Sequence, residues 1–152
     1  MSVEENLARL NVQIPEASAP RANYVPFKII GDMLYVSGQL PFEDGVVAVT
    51  GRLGDDVSLE EGQRAAKICA INILAQAKAA LGSLDRIAEI VKLGAFVSST
   101  ADFYNQPAVV NGASDFLVEV LEDAGRHTRF AVGAPSLPLN TAVEIDALIR
   151  IK

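Results

Sequence analysis

The sequence predicts an α+β domain in which two helices pack on one face of a mixed β-sheet. Two observations support this class: several segments alternate with the two-residue period of strands, and two others have helical periodicity with start and stop signals. In chain order they give β-β-β-α-β-α-β-β after an N-terminal extension. The 152 residues suffice for one domain with a substantial core. We expect residues 1–22 to form a helical extension and connector, and residues 23–152 to form the domain.

The extension begins with a short amphipathic helix predicted near residues 2–11. Ser2 and Glu5 have the spacing of a capping box, which marks a helix start. Three apolar residues then fall on one helical face: Val3, Leu7 and Leu10. The Pro- and Ala-rich connector at residues 15–20 ends this helix.

Three short strands are predicted after the connector. Residues 24–30 and 33–37 read as strands, and Gly31-Asp32 between them is a strong hairpin signal. Residues 46–49 predict the third strand. Residues 42–45 before it have the composition of a turn.

A long helix follows, because Ser58 and Glu61 form a second capping box. We predict that it runs to Leu81 and ends at Gly82. A narrow stripe of mostly small residues along it permits close approach to a sheet. This stripe consists of Ala66, Cys69, Ile73, Ala77 and Ala80.

The second half of the chain supplies one more helix and three strands. Pro107 fits the first position of the helix, which we predict to run to about Ala124 and to be closed by Gly125. Its buried face is predicted at Phe116 and Val120. The strands are predicted at residues 87–97, 128–133 and 141–151.

The last strand has one apolar face and one mixed face. The apolar residues, which can cover the helices, are Val143, Ile145, Ala147, Ile149 and Ile151. The mixed face carries Glu144, Asp146, Leu148 and Arg150, with neighbours expected among Ile90, Leu93, Phe96 and Val97. Such a face is too polar for a core and too apolar for solvent alone. We therefore expect it to pack against other subunits, with a polar cleft at the contact.

Composition excludes several classes of function. The net charge of −6 and the lack of a Lys/Arg block argue against a nucleic-acid binder. No apolar run approaches the roughly 20 residues that span a bilayer, and the acidic N-terminus does not resemble a signal peptide. The single cysteine, Cys69, is interpreted as a buried apolar residue rather than a nucleophile. We expect a cytoplasmic protein without a metal site or a membrane partner.

Two charged residues interrupt the last two strands and are the first candidates for chemistry. Arg129 presents a fork of donors that matches a carboxylate, and Glu144, 15 positions later, can hold or deprotonate a water. The alternative is a salt bridge, within the sheet or across a subunit contact, since structural ion pairs outnumber catalytic sites. His127 is better interpreted as a strand-edge histidine bonded to the backbone than as an acid or base.

Four elements in this order resemble the YjgF/Rid (RidA-like) family of small trimeric proteins. They are Tyr24, the turn Ser37-Gly38-Gln39-Leu40-Pro41, Arg129 with Leu137-Pro138, and Glu144. Gly125 to Gly133 resembles in particular the branch named after an endoribonuclease and chorismate mutase. The resemblance covers nearly the whole chain. It implies a chorismate-mutase-like (YjgF) fold and a homotrimer with three clefts between subunits.

The resemblance also implies an activity, the hydrolysis of reactive 2-imino and enamine acids to 2-keto acids and ammonia. Arg129 would clamp the substrate carboxylate, Glu144 would position the attacking water, and Tyr24 would close the pocket and orient the substrate. An imine carbon is already electrophilic, so orientation can supply much of the rate advantage and no cofactor is expected. The expected partner is a small metabolite that bears a carboxylate.

Further site residues follow from the same resemblance. Ser37 and Gly38 would line the cleft, and Asn111 would lie near its rim. Ala131 stands where the family commonly has a cysteine, and Asn23 stands where proline is usual. If this position acts through its backbone groups, alanine can replace the cysteine. If it acts through the cysteine sulfur, the activity implied by the resemblance would be lost.

This departure leaves a second function open, that of a non-catalytic trimer that binds small carboxylates as a regulatory protein. Ribonuclease activity is implied only by the naming of the family, and the acidic charge disfavours it. Chorismate mutase activity is disfavoured as well, because a single arginine is few cations for a dianionic substrate.

Overall fold

The computed structural model describes residues 1–20 and 22–152. Within these residues the chain forms three α-helices and seven β-strands. The helices are α1 (Val3–Arg9), α2 (Leu59–Leu81) and α3 (Gln106–Leu121). The strands are β1 (Phe27–Ile30), β2 (Met33–Gln39), β3 (Phe42–Glu43), β4 (Val46–Val47), β5 (Ile87–Ser98), β6 (Thr128–Ala134) and β7 (Val143–Ile151). The predicted α+β class is confirmed.

Five strands form one mixed sheet in the order β1-β2-β7-β5-β6. The β5–β6 pair is parallel and the other pairs are antiparallel. Helices α2 and α3 pack on the same face, so that the core lies between them and the sheet. Fully buried side chains at its centre include Leu34, Ile73, Leu93, Leu117 and Ile149.

The helix starts follow the predicted capping chemistry. The Glu5 N–H donates to Ser2 Oγ at 3.1 Å, and the Ser2 N–H donates to Glu5 Oε2 at 2.9 Å. At the start of α2 one of the two bonds of the predicted capping box is present: the Glu61 N–H donates to Ser58 Oγ at 3.2 Å. The helix ends at Gly82, whose φ of 81° is in the left-handed region. Both helices therefore begin where the sequence indicates.

Helix α1 is held against α3. Leu7 belongs to the core, and Asn6 Nδ2 donates to the carbonyl oxygen of Val120 at 3.0 Å.

No helix among the described residues is both long and apolar enough to cross a bilayer.

The small-residue stripe of α2 packs as predicted. Ala66, Cys69, Ile73 and Ala77 are fully buried, and Ala80 is partly buried against the core. Cys69 Sγ lies 3.7 Å from the carbonyl oxygen of Val143. Cys69 is therefore the buried core residue that the sequence predicts, and this burial raises the pKa of its thiol well above the ordinary value.

The predictions for the N-terminal strands need two corrections. β1 begins at Phe27 instead of residue 24, and Pro26 just before it has no N–H for a ladder. The predicted turn at residues 42–45 is itself a hairpin, in which β3 pairs with β4 around Asp44-Gly45. Both turn residues have positive φ, 54° and 82°. The predicted third strand therefore belongs to this hairpin and not to the main sheet.

The C-terminal half differs at two boundaries. Helix α3 ends at Leu121, because Glu122 adopts a φ of 57°, and a 3₁₀ turn continues to Gly125. Gly125 does not cap the helix; it allows close approach, since a Cβ there would collide with the Leu117 carbonyl. β7 begins at Val143.

The sheet face opposite the helices is mixed, as predicted, but its composition differs. It carries Tyr35, Lys92, Phe96, Phe130, Val132, Glu144 and Asp146. The expected neighbours Ile90, Leu93 and Val97 are instead buried beneath the helices. A register shift between Ile90 and Lys92 lets both Ile90 and Leu93 face the core. Phe96 does lie on the mixed face, where its ring meets that of Phe130 edge-on at 5.4 Å.

Candidate functional site

A cavity of about 830 Å³ opens between the connector, the end of β2, the β3–β4 hairpin and helix α2. Strand β7 contributes Glu144 to its wall. Three more predicted site residues line it: Tyr24, Ser37 and Gly38. The Tyr24 side chain is half-exposed at this cavity, where its ring is accessible to a ligand.

A β-bulge places Ser37 and Gly38 next to Glu144. Val36 pairs with Ala147 while Gln39 pairs with Ile145, so β2 has one residue more than β7 between these pairs. A Cβ at position 38 would collide with the Glu144 carboxylate, so glycine leaves the carboxylate its position. The neighbouring Ser37 Oγ donates to the Val25 carbonyl oxygen at 2.8 Å.

Glu144 is a half-buried carboxylate without a cationic partner. No Lys, Arg or His of the described residues lies within salt-bridge distance of it. Burial raises the pKa of Glu144, and the negative charge of Asp146 raises it further. A carboxylate with a raised pKa is suited to accept a proton from a bound water near neutral pH.

Arg129 lies on the other face of the sheet. It is in register with Leu93, which is buried beneath the helices, whereas Glu144 is in register with Phe96 on the mixed face. Its guanidinium donates to Ser114 Oγ at 2.9 Å and to the Pro107 carbonyl oxygen at 3.2 Å. Both acceptors belong to α3, so this helix fixes the direction of the arginine. The predicted salt bridge within the sheet is therefore wrong for this pair.

The remaining predicted residues accompany Arg129. Asn111 stands between Pro107 and Ser114 at spacings of four and three residues, which puts all three on one side of α3. Ala131 follows Arg129 on the same face of β6 and packs against the core. We call Arg129, Asn111, Ala131 and Ser114 the arginine cluster, and Tyr24, Ser37, Gly38 and Glu144 the glutamate cluster.

One chain thus assembles each cluster, but Arg129 and Glu144 project from opposite faces of its sheet. Arg129, Asn111 and Ala131 do not line the cavity that holds the glutamate cluster. A single cleft that contains both charges stays a prediction about assembled copies of this chain.

Two residues that the sequence interpretation missed shape the cavity. Asn72 Nδ2 donates to the carbonyl oxygens of Leu40 and Phe42 at 2.9 and 3.1 Å. Gln76 Nε2 donates to the Ser18 carbonyl oxygen at 2.9 Å. These amides hold the loop after β2 and the connector in place as cavity walls. The available signal was two amides four residues apart in the apolar stretch of α2 between Lys67 and Lys78.

His127 belongs to neither cluster. Its Nδ1 lies 3.0 Å from the Thr128 carbonyl oxygen, the backbone contact expected of a strand-edge histidine. Burial lowers its pKa, and the nearby charge of Arg129 lowers it further, against a rise from that hydrogen bond. Among the described residues, no group of three His, Cys, Asp or Glu side chains could hold a metal ion.

Comparisons with known proteins identify relatives over nearly the whole chain. The sequence model described as "YjgF/chorismate mutase-like, putative endoribonuclease" matches residues 4–149. A curated relative, Protein TCP17 from Trypanosoma cruzi, is 47% identical over 150 residues, covering 98% of this chain and 94% of the relative.

Two crystal structures have closely similar folds. A protein of unknown function from Agrobacterium tumefaciens is 52% identical with a TM-score of 0.93, over 99% of this chain and 92% of that one. A protein named as an endoribonuclease from Shewanella oneidensis is 33% identical with a TM-score of 0.96, over 99% and 100% of the two chains.

Proposed function

Because this chain belongs to the YjgF/chorismate-mutase-like family, we propose that it hydrolyses reactive 2-imino and enamine acids to 2-keto acids and ammonia. The observation that carries the proposal is Glu144, a half-buried carboxylate with no cationic partner among the described residues, in a cavity beside Tyr24 and Ser37. No ion pair among the described residues offsets the desolvation cost of this carboxylate, which is therefore available to bind a water and accept its proton.

The proposed active site lies between copies of a cytoplasmic homotrimer. Arg129 and Glu144 project from opposite faces of the sheet within one chain, and Arg129 does not line the cavity, so a contact between copies would bring the two charges together. The mixed face of the sheet supports such a contact, because it exposes Tyr35, Phe96, Phe130 and Val132. Each cleft would then combine Arg129 of one copy with the cavity of the next.

The proposed chemistry needs only these side chains and water. The Arg129 fork binds the substrate carboxylate and fixes the imine carbon near Glu144. The oxygen of a water forms a bond to that carbon while Glu144 accepts a proton from the water. The electrons of the C=N bond move to nitrogen, which takes up the proton that Glu144 accepted from the water. The hydroxyl proton of this carbinolamine then passes through Glu144 to the same nitrogen, the C–N bond breaks with its electron pair going to nitrogen, ammonia leaves, and the oxygen forms the keto group.

The description of the family and the name of the Shewanella relative both contain the word endoribonuclease. We do not propose ribonuclease activity for this chain. Carboxylates of Glu16, Glu43, Asp44 and Glu144 line the cavity. Phosphate groups of RNA would be repelled there, and phosphate contacts dominate nucleic-acid affinity.

The test measures ammonia release from a 2-imino acid generated in situ from leucine, with and without the protein. We expect the protein to accelerate release, and Arg129→Ala and Glu144→Gln each to reduce kcat/KM by roughly 100-fold or more. Glu119→Gln, an exposed position on α3, is the matched control and should retain full activity. Equal rates with and without protein would reject the proposal. Binding of a carboxylate without turnover would instead select the regulatory alternative.

A further inference from the structure

The charged groups around the cavity are all of one sign among the described residues. Glu16 lies on the connector, Glu43 and Asp44 lie on the hairpin, and Glu144 lies on β7. Arg64 pairs with Glu43 at 3.0 Å, but Glu16 and Asp44 have no ion-pair partner among the described residues. Walls that carry one sign of charge create a local potential that attracts the opposite charge.

The amide side chains that line the cavity have their nitrogens engaged by the backbone. Gln76 Nε2 donates to the Ser18 carbonyl oxygen, and Asn72 Nδ2 donates to the carbonyl oxygens of Leu40 and Phe42. Gln76 Oε1 has no hydrogen-bond partner among the described residues, but it is sealed from solvent and does not face the open cavity. These amides therefore do not offset the negative charge of the carboxylates in the cavity wall.

The space available exceeds what a two- or three-carbon acid needs. A volume of about 830 Å³ falls within the range of pockets that enclose drug-sized ligands. A long side chain could therefore extend from the glutamate cluster toward Gln76 and the carboxylates of the connector and hairpin.

We infer that this cavity selects substrates whose side chain is long, cationic and a hydrogen-bond donor. The inference rests on the proposed function and names its substrate class: 2-imino acids derived from basic amino acids. Arg129 of a neighbouring copy takes the substrate carboxylate, and the carboxylates of the connector and hairpin take the ammonium or guanidinium at the far end. Imino acids with an anionic side chain are disfavoured by the same carboxylates.

The experiment compares kcat/KM for imino acids generated in situ from arginine, leucine and glutamate. We expect the arginine-derived substrate to exceed the glutamate-derived one by about tenfold or more. The double variant Glu16→Gln/Asp44→Asn should narrow this ratio by about three- to tenfold. Asparagine tolerates the positive φ of position 44, so the hairpin is retained. The control double variant Glu60→Gln/Glu119→Gln removes two exposed helix charges and should leave the ratio unchanged.

The outcomes separate this inference from the proposed function. No turnover of any imino acid would reject the proposed function. Turnover with equal kcat/KM for the arginine- and glutamate-derived substrates would reject the inference alone. Calorimetric binding of arginine, leucine and glutamate themselves repeats the comparison without chemistry, and arginine should bind most tightly.

One further variant addresses a cation that lies outside the described residues. Arg21 follows the lining residue Pro20 in the sequence. We expect Arg21→Gln to keep the preference for the arginine-derived substrate. A wild-type preference for the glutamate-derived substrate would overturn the inference, and loss of that preference in this variant would assign it to Arg21.

Discussion

The charged side chains of the glutamate and arginine clusters differ in whether they have hydrogen-bond or ion-pair partners within the chain. Glu144 lies at a bulge, is half-buried, and has no cationic partner in the part of the chain that the structure describes; burial raises its pKa. Arg129 is fixed by two acceptors of α3, at 2.9 and 3.2 Å. The carboxylate is therefore left reactive, whereas the guanidinium is directed and already partly satisfied.

This difference fits the proposed active site, in which each cluster supplies one of two roles. A directed guanidinium suits recognition of a carboxylate, and an unpaired carboxylate suits proton transfer from water. Neither half completes the proposed reaction alone. Three experiments test this division of roles, beginning with the one that should have the largest effect.

Trimers assembled from two different variants test whether Arg129 and Glu144 of one cleft come from different copies of the chain. Arg129→Ala and Glu144→Gln proteins are each expected to be nearly inactive, but unfolding and refolding them together should create clefts with both side chains intact. Random mixing in a trimer gives one intact cleft in each mixed assembly, which predicts roughly a quarter of wild-type activity. The measurement is imine hydrolysis before and after mixed refolding.

Each variant refolded by itself is the control and should stay inactive. A mixture without recovered activity, despite exchange of subunits shown by mass spectrometry, would mean that the two charges do not act across a contact between copies.

Substitution of Ser114 tests whether α3 directs the arginine. Ser114→Ala removes one of the two acceptors of Arg129 while leaving its charge in place. We expect KM to rise by about three- to tenfold with a smaller change in kcat. The reason is that Arg129 loses the hydrogen bond to Ser114 that directs it toward the substrate carboxylate. Ser114→Thr keeps the hydroxyl and should recover most of the affinity. Equal KM values for the alanine variant and the wild type would show that Ser114 does not direct Arg129.

Stability as a function of pH tests whether Glu144 is truly unpaired. A raised pKa means that the folded state binds a proton more tightly than the unfolded state, so the stabilisation is present at acidic pH and is lost as pH rises through the folded pKa. We therefore expect Glu144→Gln to be slightly more stable than the wild type at pH 7.5, and the difference to shrink toward pH 4. Urea denaturation at both pH values measures it.

The opposite result would also be informative. If Glu144→Gln is less stable than the wild type at pH 7.5, the carboxylate has a cation in the assembled protein. That outcome would favour the salt bridge across a subunit contact over the catalytic interpretation.

Local signals in the sequence predicted the elements whose chemistry is local. The capping residues Ser2 and Ser58, the terminator Gly82 and the Gly31-Asp32 hairpin are all where the sequence indicates. The β3–β4 hairpin was missed because its strands have two residues each and its first strand overlaps a turn-forming composition.

The relation between the two clusters could not be predicted, because it depends on register. Alternation places residues of one strand, but Arg129 and Glu144 lie on different strands joined by an irregular segment with Leu139 and Asn140 at positive φ. That segment decides which side chains of β7 share a face with those of β6. The error at Ile90, Leu93 and Val97 has a similar cause, since a register shift within β5 interrupts simple alternation.

The sealed environment of Cys69 has a practical consequence. Its thiol is fully buried and held in the protonated form, and it is the only cysteine of the chain. A maleimide dye offered to the native protein should therefore find no site. A cysteine introduced at the exposed Tyr104 would become the single attachment point for a fluorophore, and subunit exchange could be followed by energy transfer without first deleting a native thiol.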